Sequence, residues 1–323
     1  MRALVSCAVA TIVMVAAAEA AEFPGPFFYH GDGVVTLQGR QGGISRMTYR
    51  RAGQYDEAGL RRINLLFGAP WERPTERVSL RLIELLDHLQ EHFGGAQVVL
   101  QSGYRSPEAN TRLRTMGRLA AQSSLHMEGA AIDCHLQGVS SAAVFAYLKD
   151  LGCCGIGYYH GREVHIDAGP ARFWDEATSG TENREPQQNE KIILATDRDR
   201  YRRGETAMLQ FMRITDYPVI VPATLTLQWQ RVDMYPSSGG GEVETERKGD
   251  WRSAAVTPTY PYRSRVDGCV ALADRAVSKS IGWTVDVPGA PRTVLRGRLV
   301  ARFCERTGDK MPAEIISNPF EIW

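Results

Sequence analysis

The sequence predicts an α+β domain followed by an antiparallel β-sandwich, and three observations predict it. In the first half, apolar residues at helical spacing alternate with short apolar runs of strand length. Residues 175–190 then lack any large apolar side chain, which reads as a linker. Beyond them, short alternating segments separated by turns dominate, the pattern of an antiparallel sandwich. The expected boundaries are residues 1–20 for a signal peptide, 21–175 for the α+β domain, 176–190 for the linker and 191–323 for the sandwich. With 323 residues and 43% hydrophobic side chains, the chain is long enough to bury two cores. Its 38 Lys+Arg against 37 Asp+Glu leave a net charge of +1, so no overall field draws it to nucleic acid or an anionic membrane.

The N-terminus has the form of a targeting segment. Arg2 precedes an apolar run over residues 3–18, and Ala18-Glu19-Ala20 is a small-x-small cleavage site. That run is short for the roughly 30 Å of a bilayer core, so the expectation is cleavage and export to a periplasmic or secreted location. No transmembrane segment is expected after signal cleavage. Five cysteines follow the signal segment, and an oxidising compartment favours pairs. Cys269 with Cys304 is the natural pair in the second half, while Cys134 has Cys153 or Cys154 to choose from. No CxxC spacing supports a zinc cluster built from them.

In the first half, Leu82, Leu86, Leu89 and Phe93 place a helix over residues 79–93, ended by Gly94-Gly95. Residues 97–100 form a short buried strand. Ser106-Pro107-Glu108 starts the next helix: Ser caps it, Pro fits the first turn, and Glu meets the positive end of the dipole. A further helix spans residues 141–151 and closes at Gly152. Strands are expected around residues 130–136 and 163–167. In the second half, strands are expected over residues 192–195, 206–212, 224–232, 283–287 and 293–303.

The chemistry concentrates in Ser124-Leu-His126-Met-Glu-Gly129-Ala-Ala-Ile-Asp133 and Glu163-Val-His165-Ile-Asp167. Gly129 permits a sharp turn, so His126 sits on the incoming loop and Asp133 on the strand after it. On the later strand Val164 and Ile166 face the core, which leaves Glu163, His165 and Asp167 on the opposite face. Two such strands side by side present Asp133 and His165 together, with His126 above. Two imidazoles and a carboxylate suit zinc with an open fourth position, and such a metal activates water and polarises a carbonyl for amide hydrolysis. A carboxylate on the same face would then shuttle the proton to the leaving amine. The same spacing also fits a purely structural arrangement, with His126 capping a turn, Asp133 in an ion pair and His165 satisfied in the core.

Three ordered motifs weigh on that choice. Ser102-Gly-Tyr-Arg-Ser-Pro-Glu-Ala-Asn110, Ser124-x-His-Met-x-Gly-x-Ala-x-Asp133 and Gly155-Ile-Gly-Tyr-Tyr159…Val-His165-Ile-Asp-x-Gly-Pro-x-Arg172-x-Trp174 resemble the M15-type zinc D-Ala-D-Ala peptidase superfamily, in particular its periplasmic murein endopeptidase branch. The resemblance covers residues 55–174. It implies a small peptidase fold of the hedgehog/DD-peptidase kind, one zinc ion held by His126, Asp133 and His165, and peptidoglycan stem peptides or their cross-links as substrate. Arg105 matches the motif arginine, whose guanidinium can fork onto a substrate carboxylate or meet the developing oxyanion. Ser124 would support the metal loop. Superfamily members place an acid or His two or three residues before the last ligand; here Glu163 stands at minus two and is the expected general base. Asp167 is the other carboxylate in range, either catalytic or orienting His165.

Other candidates read as structural. His88 and His92 lie at i, i+4 on a helix and share a face with Glu84, the pattern of a solvated surface. His135 points the same way as Asp133, as a fourth ligand, a substrate contact or a satisfied neighbour. His160 is a substrate contact or loop filler. Trp229 and Trp283 read as core, and Tyr260 with Tyr262 as the one exposed-looking aromatic pair. The functional expectation is an exported zinc peptidase acting on peptidoglycan peptides. Its competitors are a non-catalytic wall-binding scaffold that keeps the fold, and a carboxypeptidase. The sandwich lies outside the resemblance and is a candidate to bind the wall or a protein partner.

Overall fold

The structure, a computed structural model, describes residues 31–116, 123–161, 163–178, 187–235, 245–248, 250–261, 265–287 and 293–323. The expected signal peptide, residues 179–186 of the expected linker, and Tyr262 lie outside the described residues.

The first half alternates strands and helices around one sheet. A hairpin of β1 (Val34–Gln38) and β2 (Ile44–Thr48) leads to α1 (Glu57–Phe67), which Asp56 caps by accepting from the Gly59 N–H. Next come α2 (Leu80–His92), β3 (Val98–Ser102), α3 (Pro107–Thr115) and β4 (Ala131–Leu136). Ser106 caps α3 through the Ala109 N–H, with Pro107 in the first turn as the sequence indicates. Then follow α4 (Ser141–Leu151), closed by left-handed Gly152, and β5 (Gly155–Tyr158), β6 (Val164–Asp167) and β7 (Arg172–Asp175). The seven strands lie in the order β2-β1-β3-β4-β6-β5-β7. Among the adjacent pairs, β1–β3 and β5–β7 are parallel and the others antiparallel. The hairpin, α1, β5 and β7 go beyond the elements read from the sequence: the strands are short, whereas α1 carries a periodic buried stripe through Ile63 and Phe67 that was readable.

Helix α2 is buried on more than one side, and this departs from the amphipathic reading. Glu84, expected on a solvated face, is fully buried and accepts from the Tyr55 hydroxyl at 2.7 Å. Asp87 accepts from Tyr49 Oη and the Gly33 N–H, and Gln90 exchanges hydrogen bonds with the Thr36 backbone. Such partners make buried polar groups tolerable; unpaired, each would cost roughly 1–3 kcal/mol. His88 and His92 pack against Tyr147 of α4, His92 stacking on its ring at 3.6 Å.

The second half is strand-rich. Strands β8 (Ile193–Thr196), β9 (Thr206–Met212), β10 (Val219–Pro222) and β11 (Leu225–Tyr235) precede β12 (Cys269–Leu272), a short helix α5 (Arg275–Ser278), β13 (Ile281–Thr284), β14 (Leu295–Arg302) and β15 (Phe320–Ile322). One sheet orders β8-β9-β13, a second is built around the β11–β14 pair, and a third contains β10 and β12. All three feed one core that includes Phe211, Val221, Leu227, Trp283, Leu299 and Phe320. Trp229 and Trp283 are core residues, and Tyr260 is buried too, its hydroxyl donating to Pro222 O at 2.8 Å. Cys269 and Cys304 form a disulfide. Cys134, Cys153 and Cys154 are buried free thiols, so the expected bridge from Cys134 does not form. Strand β4 aims Cys134 into the apolar core, whereas Cys153 and Cys154 lie side by side beyond α4 with their sulfurs 2.7 Å apart.

The two halves are joined by buried polar contacts as well as by chain. Arg81 of α2, 1% exposed, donates to Asp199 Oδ1 at 2.6 Å, Ala168 O at 2.7 Å and Cys153 O at 2.6 Å. Ala195 and Met212 of the second half pack into the core of the first. At the end of the expected linker, Asn189 is fully buried and bonds to Thr215, Asp216 and Thr307.

Candidate metal centre

The site forms where β4 and β6 pair. Their antiparallel register sets Asp133 directly opposite His165, with Ile132 opposite Ile166 and Cys134 opposite Val164 on the other face. His126 reaches the same point from a short 3-10 turn, Leu125–Glu128, just before β4. Three contacts hold that turn. Ser124 Oγ accepts from the His126 N–H, the Arg105 N–H donates to His126 O, and Gly129 ends the turn at φ 65°. No other residue type fits there, since a Cβ on Gly129 would come within 2.3 Å of Arg77 O.

The ligand atoms converge. His126 Nε2 lies 3.3 Å from Asp133 Oδ2, and His165 Nδ1 lies 2.9 Å from Asp133 Oδ1. Donor atoms of all three residues fall within 4.8 Å of one another. The opposite ring nitrogens are already engaged. His126 Nδ1–H donates to Gly103 O at 2.8 Å, and His165 Nε2–H donates to Asp167 Oδ2 at 3.2 Å. Those bonds turn the lone pairs of His126 Nε2 and His165 Nδ1 toward Asp133, the outer-shell arrangement that metal-binding imidazoles use. Electron-rich atoms this close need a cation between them, either a proton or a metal ion. Two nitrogens and one carboxylate oxygen are a donor set that suits zinc.

Electrostatics are consistent with that need. Burial works to raise the Asp133 pKa, but hydrogen bonds and charge from His126 and His165 outweigh it and hold the carboxyl well below the usual range. Burial opposes the charged form of His165, yet Asp133 and Asp167 raise its pKa. Asp167 is fully buried and is likewise held low, because Arg172, His165 and the Gly169 N–H together overcome desolvation.

The remaining predicted residues sit at different depths. Arg105 is half-buried, its fork steadied by Asn110 Oδ1 and Ser102 Oγ, each at 3.2 Å, and it lies within electrostatic range of Asp133 and Tyr159. Asp167 has both oxygens committed, to His165, Gly169 N and Arg172 Nη2. Glu163 is half-buried and stands two residues before His165, immediately ahead of β6 and outside the converging set. His135 follows Asp133 by two residues on β4, outside the converging set. His160 pairs with Asp175 at an exposed turn.

Two neighbours were visible in the sequence only as parts of a motif. Trp174 of β7 lies against the His165 ring, centroids 5.0 Å apart, and Tyr159 stands within electrostatic range of Asp133 and Arg105. The Gly155-x-Gly157 alternation is the signal that could have found Trp174. A Cβ on Gly157 would meet the Trp174 ring at 2.5 Å, and one on Gly155 would meet Asp167 Oδ2 at 2.2 Å. Strand β5 is bare on this face so that both side chains can cross it.

The second half also touches the loop that carries His126. Glu128, two residues after His126, accepts from Arg275 Nε at 2.9 Å, and its carbonyl accepts from Lys279 Nζ at 2.6 Å. Arg213 Nε donates to Ser123 O at 3.3 Å. Nothing in the sequence pattern links these distant cations to the loop.

Comparison with known proteins bears on residues 37–174, which match the family model described as peptidoglycan L,D-endopeptidase MepK. The Escherichia coli K12 protein named peptidoglycan L,D-endopeptidase MepK is 34% identical over 122 residues, covering 37% of this chain and 67% of that protein. The Shigella flexneri protein of the same name matches equally, at 34% over 122 residues, 37% of this chain and 67% of its own. A Haemophilus influenzae protein named probable peptidoglycan L,D-endopeptidase MepK is 28% identical over 123 residues, 37% of this chain and 66% of its own. No solved structure gives a significant match.

Proposed function

The chain belongs to the M15-type murein endopeptidase family, and from that premise we propose that it is an exported, zinc-dependent peptidase hydrolysing peptidoglycan stem-peptide or cross-link amide bonds. The L,D-endopeptidase names of its relatives favour an internal L,D bond of peptidoglycan. The observation that carries the reading is the convergence of His126 Nε2, Asp133 and His165 Nδ1, with the far ring nitrogens already bonded. His126, Asp133 and His165 would hold the zinc, which when bound supplies Lewis acidity and lowers the pKa of water.

The chain's own residues do the rest. Arg105 offers its remaining N–H groups to the substrate carbonyl as negative charge develops, or to a substrate carboxylate. Glu163 takes the proton from the attacking water and returns it to the departing amine. Asp167 fixes the His165 ring, since it is fully buried and already accepts from His165, Gly169 N and Arg172. Trp174 packs against the His165 ring, and Tyr159 stands within electrostatic range of Asp133 and Arg105. No helix among the described residues is long and apolar enough to cross a membrane.

Purified muropeptides incubated with the protein and read by mass spectrometry test this proposal. Zinc-loaded protein should release fragments, and chelation or His126→Ala should stop the release while the fold survives. Glu163→Gln should reduce turnover at least about 100-fold, the scale of general base catalysis. Full activity after complete metal removal would overturn the mechanism.

A further inference from the structure

We propose that Arg213, supplied by the second half of the chain, and the Ser123 hydroxyl form a subsite for a free carboxylate of the peptide substrate. Arg213 follows β9 and is held in the left-handed region at φ 59°, a conformation a non-glycine residue rarely adopts. Its Nε donates to Ser123 O, and Arg172 and Asp167 lie within its electrostatic range. The guanidinium thus stands between the segment that leads into His126 and the one that leaves His165.

Two polar groups at this point are unanswered. Among the described residues, no hydrogen bond or ion pair engages either Nη of Arg213. Ser123 is 4% exposed and its Oγ is buried without a hydrogen-bond partner. A buried hydroxyl without a partner is costly unless something arrives to meet it, and the Arg213 guanidinium is bonded to the same residue through Ser123 O. Arg172 and Asp167 already pair with each other, so the uncompensated charge is that of Arg213. Burial and the neighbouring Arg172 push its pKa down to about 10, and it remains a cation at neutral pH. A planar anion can accept two parallel N–H bonds, one from each Nη, and one O–H bond, which is the chemistry of a carboxylate. Every peptide has one at its C-terminus, and acidic residues add more.

This inference rests on the peptide substrate proposed above and assigns part of its recognition to the second half. The test uses the full chain stripped of metal, so that binding is read without hydrolysis. Titration calorimetry would compare a stem tetrapeptide bearing free carboxylates with the same peptide fully amidated. Wild type should prefer the free acid by about tenfold or more, the scale of a charge-assisted hydrogen bond. Arg213→Met should erase most of that preference, Arg213→Lys should keep part of it, and thermal melts should report folded protein for both. Equal binding of the two peptides by wild type, no binding of either, or a preference that survives Arg213→Met but vanishes in Arg105→Met would each overturn the assignment. Hydrolysis by zinc-loaded wild type is measured separately. Its failure would refute the peptidase reading and leave the binding comparison to decide the subsite.

Discussion

Replacing Asp167 with Asn separates the two roles open to this carboxylate. The side chain is fully buried and accepts from His165 Nε2 at 3.2 Å, from Gly169 N at 2.9 Å and from Arg172 Nη2. Asn keeps the volume but loses the charge, and since His165 and Arg172 share Oδ2, an amide nitrogen at that position turns a donor toward both. The His165 ring then loses the bond that aims Nδ1 at Asp133. Loss of such an outer-shell partner weakens metal binding by about 10–100-fold, or about 1.4–2.8 kcal/mol. Competition against a chromophoric chelator measures the zinc affinity, and turnover at saturating zinc measures the chemistry. We expect a weaker zinc affinity with turnover largely restored by excess metal. Unchanged zinc affinity with turnover down more than about 1000-fold would show Asp167 handling the proton itself, and the reasoning would fail.

Other perturbations follow from the same contacts. Arg81→Met removes the partner of buried Asp199 and of three carbonyls, so urea unfolding should show a loss of about 3–5 kcal/mol; a change below about 1 kcal/mol would contradict the buried-pair argument. Glu84 gives a pH signature: burial, against the Tyr55 hydrogen bond, pushes its carboxyl up to about 7, above the unfolded value near 4.5. The folded state therefore holds an extra proton in that window, and the contribution to stability falls as pH rises from about 4.5 to 7. Glu84→Gln should flatten this slope in denaturation curves taken at pH 5 and 7.5. Gly157→Val drives a side chain into the Trp174 ring, and steady-state kinetics should show a drop of roughly 100-fold with the zinc affinity retained. Reducing the Cys269–Cys304 bridge, which closes a span of 35 residues, should lower stability by about 2–4 kcal/mol.

Much of the centre was legible in sequence because strand alternation is a hard constraint. Once β4 and β6 are strands, period two puts Asp133 and His165 on one face, and Gly129 leaves His126 only a tight turn from which to join them. Helix caps such as Ser106 and Gly152 were equally readable, since local hydrogen bonding decides them. Glu84 was misplaced because helical periodicity assumes one buried face, and α2 is covered on several. Cys134 was expected to pair because compartment chemistry favours disulfides, yet strand geometry fixed its direction first. Arg213 was invisible for a different reason. Its importance lies in a contact across 90 residues of chain, and no local pattern encodes that.

The grip of Arg275 and Lys279 on Glu128 changes how the molecule should be divided. A chain cut after residue 178 would strip a buried carboxylate of both its counter-charges two positions from His126, and would leave Arg81 without Asp199. The strand-rich half is therefore less a tethered passenger than the outer jaw of a vice closed on the metal loop. Any force that pries the jaw open acts on Ser123 and Glu128, on either side of His126 in the chain.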